Sequence, residues 1–284
     1  MYSTSTSGFD KPRISPGALP SLSTREILVT ARLTFLPQKY SLPGSTGSHE
    51  DSPVRPDNES ETRRMKNIQF IPIPGDQALA ELDRLRAQYP STGLYPILVG
   101  DAEDKSRIIE VATIDEFDPA ETIAHSQSID AAQWLQNKDQ LDQDELPEDG
   151  DWPKHAGQMG IVTQLNVLTR SAKKEVFIGL LKINVPWEAF AYLNWGAWND
   201  CPEPAVHCAL HRYWESKYGA QVASITGDIV QCIVERPPAD KEAALHLARE
   251  QYIYCYDIVE QGTESIAALA AGLLNWNRWY FWWD

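Results

Sequence analysis

The chain has 284 residues, 43% of them hydrophobic and 10% aromatic, enough to bury a sizeable core and too apolar for a chain disordered throughout. Its 25 Lys and Arg against 40 Asp and Glu leave a net charge of −15, which disfavours nucleic acid and anionic membrane surfaces as partners and favours a cationic one. No long apolar run and no basic-then-apolar leader is present, so neither a membrane span nor a secretory signal is read, and a soluble cytoplasmic protein is expected.

Residues 1–64 are rich in Ser, Thr, Pro and Gly, a composition that cannot bury enough apolar surface to offset chain ordering. They are read as a disordered tail or as an extension upstream of a start at Met65. Within them REILVTARLTFLP (25–37) is basic and apolar, and is read as part of that tail rather than as a transit peptide. Residues 65–284 are read as a single globular domain.

In that domain IQFIPI (68–73) reads as a strand, and Pro74-Gly75-Asp76 leads into a helix carrying Ala78, Leu79, Leu82, Leu85 and Tyr89 at helical spacing. TGLYPILVG (92–100) reads as a buried strand and IIEVAT (108–113) as its partner. Residues 101–151 hold 3 Lys and Arg against 16 Asp and Glu, nearly the whole charge imbalance. A weak helix is expected over 118–138 and a solvated acidic loop over 139–153.

EVFIGLLKINVP (175–186) is an almost unbroken apolar run and predicts a central strand covered on both faces. WEAFAYLNWGAWN (187–199) predicts a short helix ending at Gly196. A longer helix follows, with Val206, Leu210, Tyr213, Trp214 and Tyr218 on one stripe and Gly219 as its left-handed cap. QVASITGDIVQCIVER (221–236) predicts a hairpin around Thr226-Gly227-Asp228, or one long bulged strand. Asp240 can cap a helix running to about Asp257, Gly262 and Thr263 open a last helix through Leu274, and RWYFWWD (278–284) closes the chain as a strand. Alternation along that strand puts Trp279, Phe281 and Trp283 on one face, Tyr280 and Trp282 on the other. Together these elements predict an α+β or α/β fold: a mixed sheet covered by helices, with the aromatic strand inside the sheet.

The words WGAWNDCPEP (195–204), WESKYGA (214–220), ERPPADKEAALHLAREQYIYC (235–255), DIVEQGTES (257–265) and WYFWWD (279–284) occur in that order. Together they resemble the bacterial family of unknown function numbered 4253, over roughly residues 175–284. The resemblance implies a compact domain and no particular activity. Two departures stand out: family members usually have Pro where Tyr256 stands, and a Gly-Gly pair where Gly196-Ala197 stands. The second matters only if the backbone needs positive φ at Ala197.

Common phosphate-loop, dinucleotide, zincin, serine-hydrolase and CxxC motifs are missing. His207 and His211 share a helix face at i, i+4, a spacing a divalent ion can use, with Cys201 and Cys208 nearby in sequence. Packed core roles suit them better, and no metal or cofactor is expected. Cys201, Cys208, Cys232 and Cys255 are too few for a disulfide scaffold and are expected as thiols. Cys255 with His207 and Asp257 holds the residue types of a nucleophile site, but Cys255 falls on an apolar helix face. Asp257 and Gln261 sit at a helix junction, where Asp257 is expected to cap the next helix and either residue can meet a ligand. Asp284, as side chain and last residue, is expected at the surface or beside Arg212, Arg236 or Arg249.

Candidate ligand- or partner-binding residues are therefore Trp195, Trp198, Asn199, Cys201, His207, Trp214, Cys255, Asp257, Gln261 and Asp284. Two functions compete. One is a soluble acidic module that binds a basic protein, as an immunity or inhibitor protein does; the other is an enzyme or small-ligand domain with a pocket near these residues.

Overall fold

The computed structural model describes residues 68–114, 117–141 and 149–284. The expected tail at 1–64 and the centre of the acidic loop lie outside these residues. The described residues form an α+β fold around a mixed sheet of six strands in the order β1-β3-β2-β4-β5-β6. The strands are β1 Ile68–Ile73, β2 Leu94–Gly100, β3 Val176–Lys182, β4 Ala220–Ile225, β5 Ile229–Val234 and β6 Arg278–Trp282. All neighbouring pairs are antiparallel except β2 and β4, which run parallel at Leu98 and Ser224.

β3 lies between β1 and β2, which is why its side chains are buried from Val176 to Leu181 and its sequence does not alternate. β6 alternates as its sequence predicts: Trp279, Phe281 and Trp283 are buried, while Tyr280 and Trp282 are only partly covered. β4 and β5 form the expected hairpin, whose turn is closed by the Thr226 hydroxyl accepting from the Ile229 N–H at 3.1 Å and donating to Asp228 Oδ1 at 3.0 Å.

The helices are α1 Ala78–Thr92, α2 Ala102–Ile114, α3 Pro119–Ser128, α4 Ala131–Leu141, α5 Ala189–Leu193, α6 Pro204–Tyr218, α7 Lys241–Tyr254 and α8 Ile266–Leu273. One sheet face carries the larger core, where Ile108 of α2, Leu135 of α4, Phe190 of α5, Trp214 of α6 and Leu247 of α7 pack with Trp279 and Phe281. The other face is covered by Ala78, Leu82 and Leu85 of α1 and by Ile161 from the irregular segment before β3. That segment is tied down through buried polar groups: the Val162 N–H and the Thr163 hydroxyl both donate to Gln231 Oε1, at 3.1 and 2.9 Å.

Several elements depart from the sequence expectation. IIEVAT is the end of α2, not a strand: Asp101 Oδ1 accepts from the N–H of Glu103 and Asp104, and Ile108 and Ala112 reach the core at helical spacing. The partner that β2 requires is β3, far along the chain. The helix expected over 118–138 is two helices, capped by Asp118 and by Asp130, whose Oδ1 accepts from the Gln133 N–H. α5 stops at Asn194, two residues before Gly196. The last helix starts at its Ser265 cap, because Ile258–Thr263 form a π-helical turn in which the Glu264 N–H reaches back to the Val259 carbonyl. Among the described residues no helix is long and apolar enough to cross a membrane.

Candidate functional site

The loop between α5 and α6 is tight. Asn194, Gly196, Ala197 and Asn199 all have positive φ, at 48°, 121°, 69° and 44°. Gly and Asn accept this conformation readily, whereas Ala does not. The Gly-to-Ala departure at 197 thus falls where the backbone does need positive φ. Gly196 is also sterically required, since a Cβ there would lie 2.2 Å from the Pro202 carbonyl oxygen and 2.8 Å from His207 Nε2. The Ala197 N–H donates to the Pro202 carbonyl at 2.8 Å and the Cys201 N–H to the Trp198 carbonyl at 2.8 Å, closing the loop on itself.

Beneath the loop lies an aromatic body. Trp195 touches Trp198, His207 and Trp283 at ring-centre distances of 4.7, 4.9 and 5.4 Å, and its indole N–H donates to the Thr226 carbonyl at 2.7 Å. A buried polar chain crosses this body. The Tyr254 hydroxyl lies 2.6 Å from His207 Nδ1 and 3.1 Å from His211 Nε2; His207 Nε2 lies 3.4 Å from Cys201 Sγ, and His211 Nδ1 lies 3.8 Å from Cys232 Sγ. Tyr254 has one proton to give, so it donates to one imidazole and accepts from the other.

Burial holds every member of this chain neutral. His207 is pushed well below the usual imidazole range and His211 down to about 3, while Tyr254 and the Cys201 and Cys232 thiols are pushed up. The i, i+4 histidines converge on a tyrosine hydroxyl, and among the described residues no group of three His, Cys, Asp or Glu side chains is placed to hold a metal ion. Cys255 donates to the Trp282 carbonyl at 3.0 Å, and burial raises its pKa well above the ordinary thiol value. A thiol so placed is a poor nucleophile.

At the outer end of the body the loop, the π-turn and Asp284, two residues past β6, meet in an acidic corner. Asp257 accepts from the Asp284 N–H through Oδ2 at 3.0 Å and from Gln261 Nε2 through Oδ1 at 3.0 Å. Gln261 also donates to Asp284 Oδ2 at 3.3 Å, and Asn199 Nδ2 donates to the Asp284 main-chain oxygen at 2.8 Å. Tyr256 donates to Asp200 Oδ2 at 2.7 Å, and Tyr252 to Glu260 Oε1 at 3.1 Å. Burial, with Asp284 and Asp200 close by, raises the Asp257 carboxyl above its ordinary value. Among the described residues no Lys or Arg pairs with Asp200, Asp257, Glu260 or Asp284.

All ten sequence candidates fall within this continuous structure. Asn199, Asp257, Gln261 and Asp284 form the corner; Trp195, Trp198, Cys201 and His207 lie beneath it; Cys255 holds the strand end. Trp214 is furthest in, 5.1 Å from Tyr254 between ring centres, with its N–H on Glu250 Oε2 at 2.8 Å. Asp257 does not cap the following helix, because Ser265 does and Asp257 is taken up by Asp284 and Gln261. Asp284 is exposed as expected but meets Asn199 and Gln261, while Arg212, Arg236 and Arg249 bind elsewhere.

Sequence reasoning missed the roles of Asp200 and Tyr254, which sit inside the quoted words, and of Tyr256, which stands between two of them; none of the three carries a spacing signal. Of the clefts on the described surface, two with volumes of about 260 and 450 Å³ are lined by none of the ten candidates. The larger is occupied by its own ion pairs, Lys173 lying 2.8 Å from Asp101 and 3.3 Å from Asp104.

No curated protein and no solved structure matches the chain. Residues 177–284, which contain the loop, the aromatic body and the corner, match the family model described as Domain of unknown function (DUF4253), the family that the sequence words resemble.

Proposed function

We propose that the chain is a protein-binding module of the bacterial cytoplasm that covers a basic partner through the acidic corner, in the manner of an inhibitor or immunity protein. The observation that carries this reading is the convergence of Asp200, Asp257 and Asp284, which no Lys or Arg among the described residues pairs, held in place by Asn199, Gln261 and Tyr256, with Glu260 on the same turn as Asp257. Such a patch steers a cationic surface into contact and penalises acidic competitors. Tyr256, 37% exposed, and the half-buried Trp198 supply aromatic area beside the charges, the residue types that anchor interfaces. Support also comes from the exposed acids of α2 to α4, such as Glu103, Glu110 and Glu121, which extend the negative field over the same chain. The enzyme reading has less behind it, because the His207 and His211 imidazoles and the Cys201, Cys232 and Cys255 thiols of this body are buried, neutral and already hydrogen-bonded.

The test is capture on immobilised full-length chain at low and at high salt, followed by reconstitution with the identified protein in purified form. A partner of basic isoelectric point, bound at low ionic strength and released at high, is expected. Failure to capture any basic protein at low ionic strength would overturn the reading.

A further inference from the structure

The smaller cleft lies away from the acidic corner, between α1 and the start of β6, and its volume of about 260 Å³ suits a compact metabolite rather than a drug-sized molecule. Its apolar lining comes from Leu79 and Leu82 of α1 and from Ile161. Trp276 stands beside them with its ring fixed, the indole N–H donating to the Met159 carbonyl at 2.8 Å. The two walls carry opposite charges, Asp83 on α1 and Arg278 on β6.

These charges feel one another but do not close to a salt bridge. Among the described residues the only hydrogen bond of the Arg278 side chain is Nη1 to the Asn277 carbonyl at 2.8 Å, which leaves the remaining guanidinium donors unused. Desolvation pushes the Arg278 pKa below its ordinary value, the mark of a cation whose lost hydration is not fully replaced.

We propose that this cleft binds a free α-amino acid with an apolar side chain. The ligand's carboxylate takes the free donors of Arg278, its ammonium faces Asp83, and its side chain lies on Leu79, Leu82 and Ile161 beside the Trp276 ring. A zwitterion is the ligand class that satisfies both walls at once: a simple anion would leave Asp83 facing negative charge, and a simple cation would leave Arg278 unpaired. The site shares no residue with the corner, so it stands or falls separately from the partner-binding reading.

Calorimetric titration of the full-length chain with L-leucine, isocaproate and isoamylamine tests the assignment, because the second compound lacks the ammonium and the third lacks the carboxylate. Saturable binding of L-leucine at millimolar concentration is expected, with each truncated analogue roughly tenfold weaker or worse. Arg278→Gln should weaken L-leucine by about the same factor and remove the discrimination against isoamylamine. Leu79→Trp, placed at a partly exposed helix position where folding is not at risk, should fill the cleft and abolish binding. The proposal is overturned if none of the three compounds binds saturably, if all three bind equally, or if Leu79→Trp leaves L-leucine binding intact.

Discussion

Ala197 holds a φ of 69° in a loop where its neighbours with positive φ are Gly or Asn. Releasing an alanine from that region is worth about 1–2 kcal/mol, from which the greater freedom of glycine in the unfolded chain subtracts about 0.5–1 kcal/mol. Ala197→Gly should therefore stabilise the protein by roughly 0.5–1 kcal/mol in urea denaturation, whereas Gly196→Ala, driven into the Pro202 carbonyl and the His207 ring, should destabilise it. The buried imidazoles predict a pH dependence. His207 and His211 ordinarily titrate near 6.5, and burial depresses both in the folded state. The unfolded chain then binds protons that the folded chain refuses, so stability should be fully present above 6.5 and fall below it, by up to about 1.4 kcal/mol per pH unit for each histidine. The raised carboxyls of Asp257 and Asp228 act in the opposite sense at lower pH, where the folded state is the better proton acceptor. Urea midpoints measured from pH 8 down to pH 5 check this, and an imidazole resonance of His207 or His211 titrating near 6.5 would refute it. The sequence marked His207 through its i, i+4 relation to His211, but that spacing says nothing of Tyr254, forty-odd residues on, which the fold inserts between the two rings.

Helix ends show where local chemistry was readable and where it was not. Asp240 and Gly219 were identified from the sequence alone, because a carboxylate before a helical run and a glycine after one satisfy backbone groups in ways few other residues can. The start of α8 was misplaced, since a π-turn consumes Gly262 and Thr263 before Ser265 takes the cap, accepting from the Ala268 N–H at 3.2 Å. Ser265→Ala should therefore cost about 1 kcal/mol of stability in thermal or urea unfolding, and Thr263→Ala distinctly less. IIEVAT was misread for a related reason: its β-branched residues favour a strand locally, and only the Asp101 cap and the packing of Ile108 and Ala112 turn it into helix. No local signal announces that the partner of β2 is β3, because the pairing spans the whole acidic segment.

At the scale of the molecule, the aromatic residues at the chain's end gather in the core, whereas Asp200 and Asp284 of the acidic corner are exposed. The alternation of WYFWWD was legible, and the fold uses it to drive Trp279, Phe281 and Trp283 into the core against Trp214, Tyr254 and Trp195. Phe281→Ala should cost about 3–5 kcal/mol for that reason, measurable as a lowered denaturation midpoint. The negative charge was legible as a total but not as a place: the densest acidic run is at 101–151, whereas the corner, unpaired by Lys or Arg among the described residues, joins Asp200 and Asp284 to the turn of Asp257 and Glu260 only through tertiary folding. The most direct measurement is the association rate of the captured basic protein with two charge variants of the full-length chain at low salt. One variant carries Asp200→Asn, Glu260→Gln and Asp284→Asn; the other carries Glu103→Gln, Glu110→Gln and Glu121→Gln, equal in charge and sharing no residue with the corner. The account predicts a fall of roughly tenfold or more for the first variant and a much smaller one for the second. Equal rates for the two variants would contradict it.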